Sequence, residues 1–352
     1  MDASQKKQVP LDRGTMIAHK VDLPRGIHQV RTPLDFPGVP TVNCYIIEEP
    51  LTLVDAGLNS PAAWKVFVDY LEAIGYRPDQ FERILITHAH PDHFGFAERV
   101  RQLSGAQVFI GEHSVDSFAL NDTDAVAQRK PVYREFFLRL GLDEQVFATL
   151  ALSGEMMRAM APCIQGDVTL VKEGDRIPFQ DFVLEVLYTP GHTREIVCYH
   201  EPDQGLIFSS DHLLQETSPN PLIDLGPEGE RDYNLKFRSL ASYFEQIERV
   251  RKLNLSCVLP GHGLPFAGHE AVIDSLFLFY DKRQKKIWNA LGEMGPSNLR
   301  QLAERLFPKA FGMQLFLATC ELLGNLEVME EAGRVRRHDD GRHYLFEATP
   351  SR

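Results

Sequence analysis

The chain has 352 residues, 43% of them hydrophobic, enough to bury one large core or two unequal ones. Its formal net charge of −12 would repel a polyanion unless a local basic patch intervened, which weighs against a nucleic-acid-binding body. Met1–Gly14 is polar with no apolar stretch, and no later run reaches the roughly 18 apolar residues of a membrane span, so a cytoplasmic protein is expected.

The early segments Ile27–Val30, Val42–Ile47 and Leu51–Asp55 read as strands, the last closed by Gly57. Helical spacing over Pro61–Ile74 brings Trp64, Phe67, Val68 and Leu71 onto one face, with Ser60 as N-cap, Pro61 in the first turn and Gly75 as the stop. The apolar run Ile84-Leu85-Ile86 then enters Thr87-His88-Ala89-His90-Pro91-Asp92-His93, which holds three histidines and a carboxylate, before a helix expected over Phe94–Leu103. Imidazole nitrogen and carboxylate oxygen both suit a borderline cation such as Zn²⁺. A chance grouping is a poor account of it, because the whole chain has only 13 histidines. His88 and His90, two apart in an extended segment, point to the same side, and Asp92 and His93 fall where the chain turns into the helix. One loop can therefore feed two adjacent metal positions.

After a strand at Gln107–Ile110, residues 114–161 lose strand alternation and carry helix-period apolar positions, including Phe136, Phe137, Leu140, Val146 and Leu150. This is a helical insertion, and its Met156, Met157 and Met160 suit either an adaptable lid or ordinary packing. Strands resume at Val168–Val171, Phe182–Tyr188, Ile196–His200 and Leu206–Phe208, followed by a Pro- and Gly-rich loop over Thr217–Gly229 and a helix over Tyr233–Leu253. Beyond Gly263 come helices over Val272–Leu291, Ser297–Leu306 and about Met313–Leu323, then strands at Val328 and across Val335–Phe346 around Asp339-Asp340-Gly341.

The pattern His-x-His-x-Asp-His resembles that of the metallo-β-lactamase superfamily, and further matching blocks follow in order. Val186-Leu187-Tyr188 runs into Thr189-Pro190-Gly191-His192-Thr193, Leu206-Ile207-Phe208 into Ser209-Ser210-Asp211, and Cys257-Val258-Leu259 into Pro260-Gly261-His262-Gly263. The resemblance implies a four-layer αββα sandwich over residues 1–267, with the site at one edge between the sheets. It further implies two divalent metal ions, Zn²⁺ ranking before Fe or Mn. His88, His90 and His192 would hold the first, Asp92, His93 and His262 the second, and Asp211 would bridge them. Asp55 matches an early Asp-x-Gly block as a group supporting the ligands, although a turn-forming Asp before Gly57 is an equal reading.

The implied chemistry is hydrolysis of a small ester, thioester, lactone or phosphoester by a metal-bridging hydroxide, with Asp92 orienting it or relaying its proton. Helices followed by a hairpin in residues 268–352 resemble the winged-helix-like tail of the lactamase-β-like protein 2 subgroup, which includes an endoribonuclease, so cleavage of single-stranded RNA is the alternative activity. A third reading is a regulatory or nucleic-acid-binding module with a vestigial site, against which the complete ligand set argues. The Thr-Pro-Gly-His-Thr block is also similar to glyoxalase II, but that family's helical glutathione-binding region is not evident. Leu214 stands where homoserine-lactone hydrolases carry tyrosine.

Residues 268–352 balance 12 Lys/Arg against 12 Asp/Glu, so the tail reads better as a core-covering or homodimerising appendage than as a nucleic-acid reader, despite Arg334, Arg336, Arg337 and Arg342. The five cysteines (Cys44, Cys163, Cys198, Cys257, Cys320) are scattered and odd in number, which argues against a disulfide framework. His212 and His113 fall near the implied site, while His19, His28, His200, His269, His338 and His343 read as structural or surface residues.

Overall fold

Apart from Val328, the segments expected as strands do pair, over somewhat different spans. The computed structural model describes residues 23–24, 26–36, 39–119, 123–226, 233–234 and 236–350. Met1–Gly14, His19, residues 227–229 of the expected loop and the Met157 side chain lie outside what is described. Strands β1 (Ile27–Phe36), β2 (Val39–Ile47) and β3 (Thr52–Val54) form an antiparallel meander. To its β3 edge the chain adds β4 (Arg83–Leu85), β5 (Gln107–Gly111) and β6 (Val168–Val171), all parallel, giving a six-stranded mixed sheet.

Its crossovers are helical, as parallel pairing requires. Helix α1 (Pro61–Ala73) starts with the expected cap, the Ala63 amide donating to Ser60 Oγ at 3.2 Å. The helix expected over Phe94–Leu103 is instead two pieces, α2 (Pro91–Phe94) and α3 (Ala97–Ser104). The break falls at Gly95, whose backbone is packed so tightly that a Cβ there would collide with the Gly57 carbonyl oxygen.

The insertion forms α4 (Val115–Ala119), α5 (Thr123–Arg139) and α6 (Glu144–Ala159). A second sheet follows: β7 (Arg176–Pro178), β8 (Val183–Tyr188), β9 (Val197–Glu201) and β10 (Leu206–Ser210) are antiparallel, and β11 (Cys257–Pro260) joins β10 in parallel. Strand β7 is not among the expected ones, being three residues at a sheet edge that end in proline. Helix α7 spans Ser239–Arg251, so the expected start at Tyr233 is six residues early: Tyr233 is buried in a core cluster and Lys236 in an ion pair, which holds this stretch out of helix.

The chain ends with α8 (His269–Met294), α9 (Leu299–Leu306), α10 (Met313–Glu331) and a hairpin of β12 (Val335–Asp339) and β13 (Tyr344–Ala348). Val328, expected as a strand, lies inside α10. The helical spacing of Leu322, Leu326 and Met329, all buried, outweighs the preference of one β-branched residue.

Tyr45, Leu85, Val186, Tyr199, Phe208 and Leu259 interlock between the two sheets. Phe67, Leu71, Phe96 and Val100 cover the outer face of the first sheet, and Leu240, Tyr243, Ile247 and Leu276 that of the second. The layers are thus helix, sheet, sheet, helix, and no helix among the described residues is long and apolar enough to cross a membrane. One further cluster joins Phe136, Phe137 and Leu140 of α5 and its end to Ile223, Ile287 and Phe346, so the insertion and the C-terminal elements share a core.

At the edge of that cluster Lys236 and Glu327 form an ion pair with both side chains 2% exposed. Burial pushes the Glu327 carboxyl up and Lys236 pulls it back. Glu327→Ala leaves an ammonium buried without its counter-charge, and a loss of about 3–5 kcal/mol is expected in urea unfolding. Lys236→Met with Glu327→Leu should restore most of it.

Candidate metal centre

Strand register delivers the site. Val54 of β3 lies opposite Leu85 of β4, so Asp55 and the loop from Thr87 emerge side by side at the strands' C-terminal ends. On the second sheet Ser210 lies opposite Pro260, which brings Asp211 beside Gly261 and His262. The sheets are stitched at this edge: the Val197 amide donates to the Thr87 carbonyl at 3.0 Å and the Asn43 amide to that of Gly261 at 2.8 Å. His192 sits in the loop between β8 and β9, at the same rim.

All seven expected side chains converge there in two groups, His88, His90, His192 and Asp211 in one and Asp92, His93 and His262 in the other. In the first, His90 Nδ1 is 2.9 Å from His88 Nε2 and 3.1 Å from His192 Nε2. Burial and then neighbouring imidazoles hold the pKa of His88 well down, and burial, with His192 next, brings that of His90 to about 3. Burial lowers the pKa of His192 as well, so three imidazoles held toward the neutral form bring ring nitrogens together, a donor set that suits a cation. Four donors about 2.1 Å from a tetrahedral ion are separated by about 3.4 Å, which the 3.5 Å between His192 Nε2 and Asp211 Oδ2 matches, while the imidazole pairs are closer.

The carboxylates of both groups face the second pair of histidines. Asp211 Oδ1 is 3.5 Å from His93 Nε2 and 3.4 Å from His262 Nε2, while Asp92 Oδ2 is 3.7 and 3.6 Å from the same two nitrogens. The other Asp211 oxygen, Oδ2, faces His192 Nε2 at 3.5 Å. These separations are long for hydrogen bonds and right for the edges of a coordination shell. His93 Nε2 and Asp211 Oδ1 are buried with no hydrogen-bond partner, which is costly in a polar atom unless an ion completes it. Burial alone would lower the pKa of His93, but Asp211, Asp92 and Asp55 outweigh it and hold it well above the usual imidazole range.

Behind these groups the far nitrogens are anchored. His93 Nδ1 donates to Asp55 Oδ2 at 2.7 Å, His192 Nδ1 to the Asn220 carbonyl at 2.8 Å, and His262 Nδ1 to the Thr41 carbonyl at 2.8 Å. Asp55 also accepts from the Thr87 amide at 2.9 Å, and Ser210 Oγ donates to it at 3.2 Å. Asp55 turns the chain with φ +56° and presents its carboxylate to His93. Thr87 and Ser210 stand beside ligands in the matched blocks, but the sequence assigns no role to them or to Asn220.

His212 is not at the rim facing these groups in any hydrogen bond; it is fully buried with its ring 5.3 Å from that of Tyr243, and burial brings its pKa to about 3. His113 lies tilted against Tyr188, the ring centroids 4.5 Å apart and the planes at 41°. His28, read as partnerless, pairs with Glu48 at 3.1 Å, and His338 with Glu347 at 3.1 Å. All five cysteines are free.

Glu195, also unanticipated, is buried beside the metal loop, where burial raises its carboxyl to about 7. A raised carboxyl pKa means the folded state loses stability as pH climbs from the unfolded value through 7. In the metal-free protein, the melting temperature of Glu195→Gln should therefore exceed the parent's at pH 8, with the gap closing toward pH 4.5.

A paired His/Asp cluster at the edge of two helix-covered sheets defines the class, and residues 37–262 match the family model described as the metallo-beta-lactamase superfamily. The chain belongs to that superfamily. It is similar to the probable metallo-hydrolase YqjP of Bacillus subtilis (strain 168), 26% identical over 324 residues that cover 90% of this chain and 96% of YqjP. In fold it is similar to the metallo-beta-lactamase family protein TTHA1429 of Thermus thermophilus, with TM-score 0.77 and 24% identity over 93% of this chain and 100% of the other. A beta-lactamase domain protein of Burkholderia ambifaria gives TM-score 0.74 and 22% identity over 94% and 93% of the two chains.

Proposed function

We propose that this metal-dependent hydrolase of the metallo-β-lactamase fold works with two divalent cations on a small ester, thioester, lactone or phosphoester. His88, His90 and His192 would hold one cation, and Asp92, His93 and His262 the other, with Asp211 between them. The observation that carries this reading is Asp211 itself, one oxygen directed at His192 and the other at His93 and His262. Two such ions, when bound, bring the pKa of a shared water toward neutrality and polarise an acyl or phosphoryl oxygen. Asp92, whose side chain is 16% exposed where that of His93 is 0%, would be placed to orient such a water and accept its proton. Imidazole and carboxylate donors rank Zn²⁺ first by default, with Fe and Mn as alternatives that elemental analysis of protein purified without added metal separates.

Residues 268–352 are read as a winged-helix-like appendage to a catalytic unit over 1–267, in the manner of the lactamase-β-like protein 2 subgroup. RNA is disfavoured as its target, since Arg337 is spent on the Tyr233 ring at 4.0 Å and on Glu330 at 3.4 Å, and Arg334 donates to Gln284 at 3.0 Å. The deciding experiment is a substrate panel of thioester, lactone, aryl ester, phosphodiester and short RNA, run beside His90→Ala. Turnover of one small substrate that the variant lacks supports the proposal; cleavage of RNA alone overturns the substrate class, and full turnover by His90→Ala overturns the site.

Asp55 supplies a further check. Asp55→Asn replaces the anionic acceptor behind His93, and a loss of about 10–100-fold in metal affinity is expected from competition with a chelator, with the fold intact by circular dichroism.

A further inference from the structure

The carbonyl that fixes His192 belongs to the loop between β10 and α7, and that loop is held from the C-terminal side. Asn220 accepts the His192 Nδ1 proton at its backbone oxygen, and its side-chain Nδ2 donates to the Leu317 carbonyl of α10 at 2.9 Å. Tyr280 of α8 donates its hydroxyl to the Pro219 carbonyl at 3.1 Å, one residue earlier. Two residues later the Leu222 amide donates to the His192 carbonyl at 3.2 Å, while Ser239 of α7 donates to the Leu222 carbonyl at 2.5 Å. Pro221 reaches α10 at Gly324, where a Cβ would stand 2.9 Å from Leu240 Cβ of α7 and 3.1 Å from Pro221 Cγ, so the helix has a glycine where both α7 and the segment touch it. Ile223 then enters the core shared by the insertion and the C-terminal helices.

We infer that Asn220 is a positioning residue through which α8 and α10 set the orientation of His192, making the C-terminal appendage part of the first metal seat. The inference rests on the two-cation reading above. Because the far nitrogen of an imidazole ligand fixes its tautomer and aim, losing that anchor weakens the ion on the near nitrogen. Of the three histidines of the first seat, His192 is the one whose anchor is traced to the C-terminal elements. His93 and His262 of the second seat are anchored instead by Asp55 and by the Thr41 carbonyl. Loosening the segment should therefore weaken one seat and spare the other.

The test is metal binding, read without substrate. Parent, Asn220→Ala and Tyr280→Phe are stripped of metal, checked for unchanged melting in the metal-free state, and titrated with Co²⁺ in competition with a chelator while the visible spectrum is followed. The parent should bind two equivalents. Asn220→Ala should bind one of them as the parent does and the other about tenfold or more weakly, with Tyr280→Phe shifted in the same direction by less. If Asn220→Ala does not fold, Tyr280→Phe, which removes a single hydroxyl, carries the test alone. Two parent-like equivalents in the variants, or an equal loss at both seats, overturns the inference and leaves the two-cation reading standing. A parent that binds no divalent ion overturns both.

Discussion

Asp211→Asn is expected to reduce kcat/KM by roughly 10³-fold or more, equivalent to about 4 kcal/mol of transition-state stabilisation, and to leave at most one tightly held metal ion per chain. The substitution preserves volume and changes charge. Asp211 is buried, which would raise its pKa, but His262 and His93 outweigh burial and hold the carboxyl well below its usual range. The site is built around that anion. A neutral amide would offer one oxygen where two are used, and would turn an NH₂ toward either His192 or the pair His93 and His262, each of which presents a nitrogen 3.4–3.5 Å away. Elemental analysis and steady-state kinetics on whichever substrate the panel yields check the expectation. Parent-like metal content with parent-like turnover would show that the carboxylate does not bridge.

How much of this was legible in the sequence follows from how locally each feature is encoded. The run from Thr87 to His93 is contiguous, and its ligand chemistry can be read without knowing the fold. His192, Asp211 and His262 are far apart, yet each directly follows an apolar strand, and strand ends on one edge converge by topology. The supports were less visible. Asn220 acts through a backbone oxygen, which any residue possesses, and through a side-chain bond to a helix almost a hundred positions away. Ser210 supports Asp55 from the opposite sheet, a contact that exists only after the layers have packed. The same reason hid the core shared by α5 and the C-terminal helices: periodicity places Phe136 and Ile287 each on an apolar face without saying which faces meet. Where tertiary packing competes with local preference it wins, as at Val328 within α10 and at Lys236, drawn out of the expected helix by Glu327.

Gly261→Ala should be nearly as damaging to metal binding as loss of a ligand, although it adds one methyl group and removes nothing. The backbone there sits against the Asp211 carboxylate: a Cβ would lie 2.5 Å from Asp211 Oδ1, 2.8 Å from His93 Cε1 and 3.1 Å from the Ser210 carbonyl carbon. None of these can retreat easily. Asp55 holds His93 at Nδ1, and the Gly261 backbone is itself pinned, donating to the Ser210 carbonyl at 2.9 Å and accepting from the Asn43 amide at 2.8 Å. The methyl must therefore displace Asp211 and His93 together, and the expected result is loss of metal at the second seat with turnover down by at least about 10²-fold. Two residues on, Gly263 provides the contrast. It has φ +86°, and a Cβ added there would meet nothing within 4 Å, so Gly263→Ala brings backbone strain and no collision. Gly263→Ala should lose about 1–2 kcal/mol of stability and keep its metal. Measuring metal content and melting temperature on both variants separates the two demands for glycine, and equal metal loss in both would mean that the crowding around Asp211 is not what the site requires of Gly261.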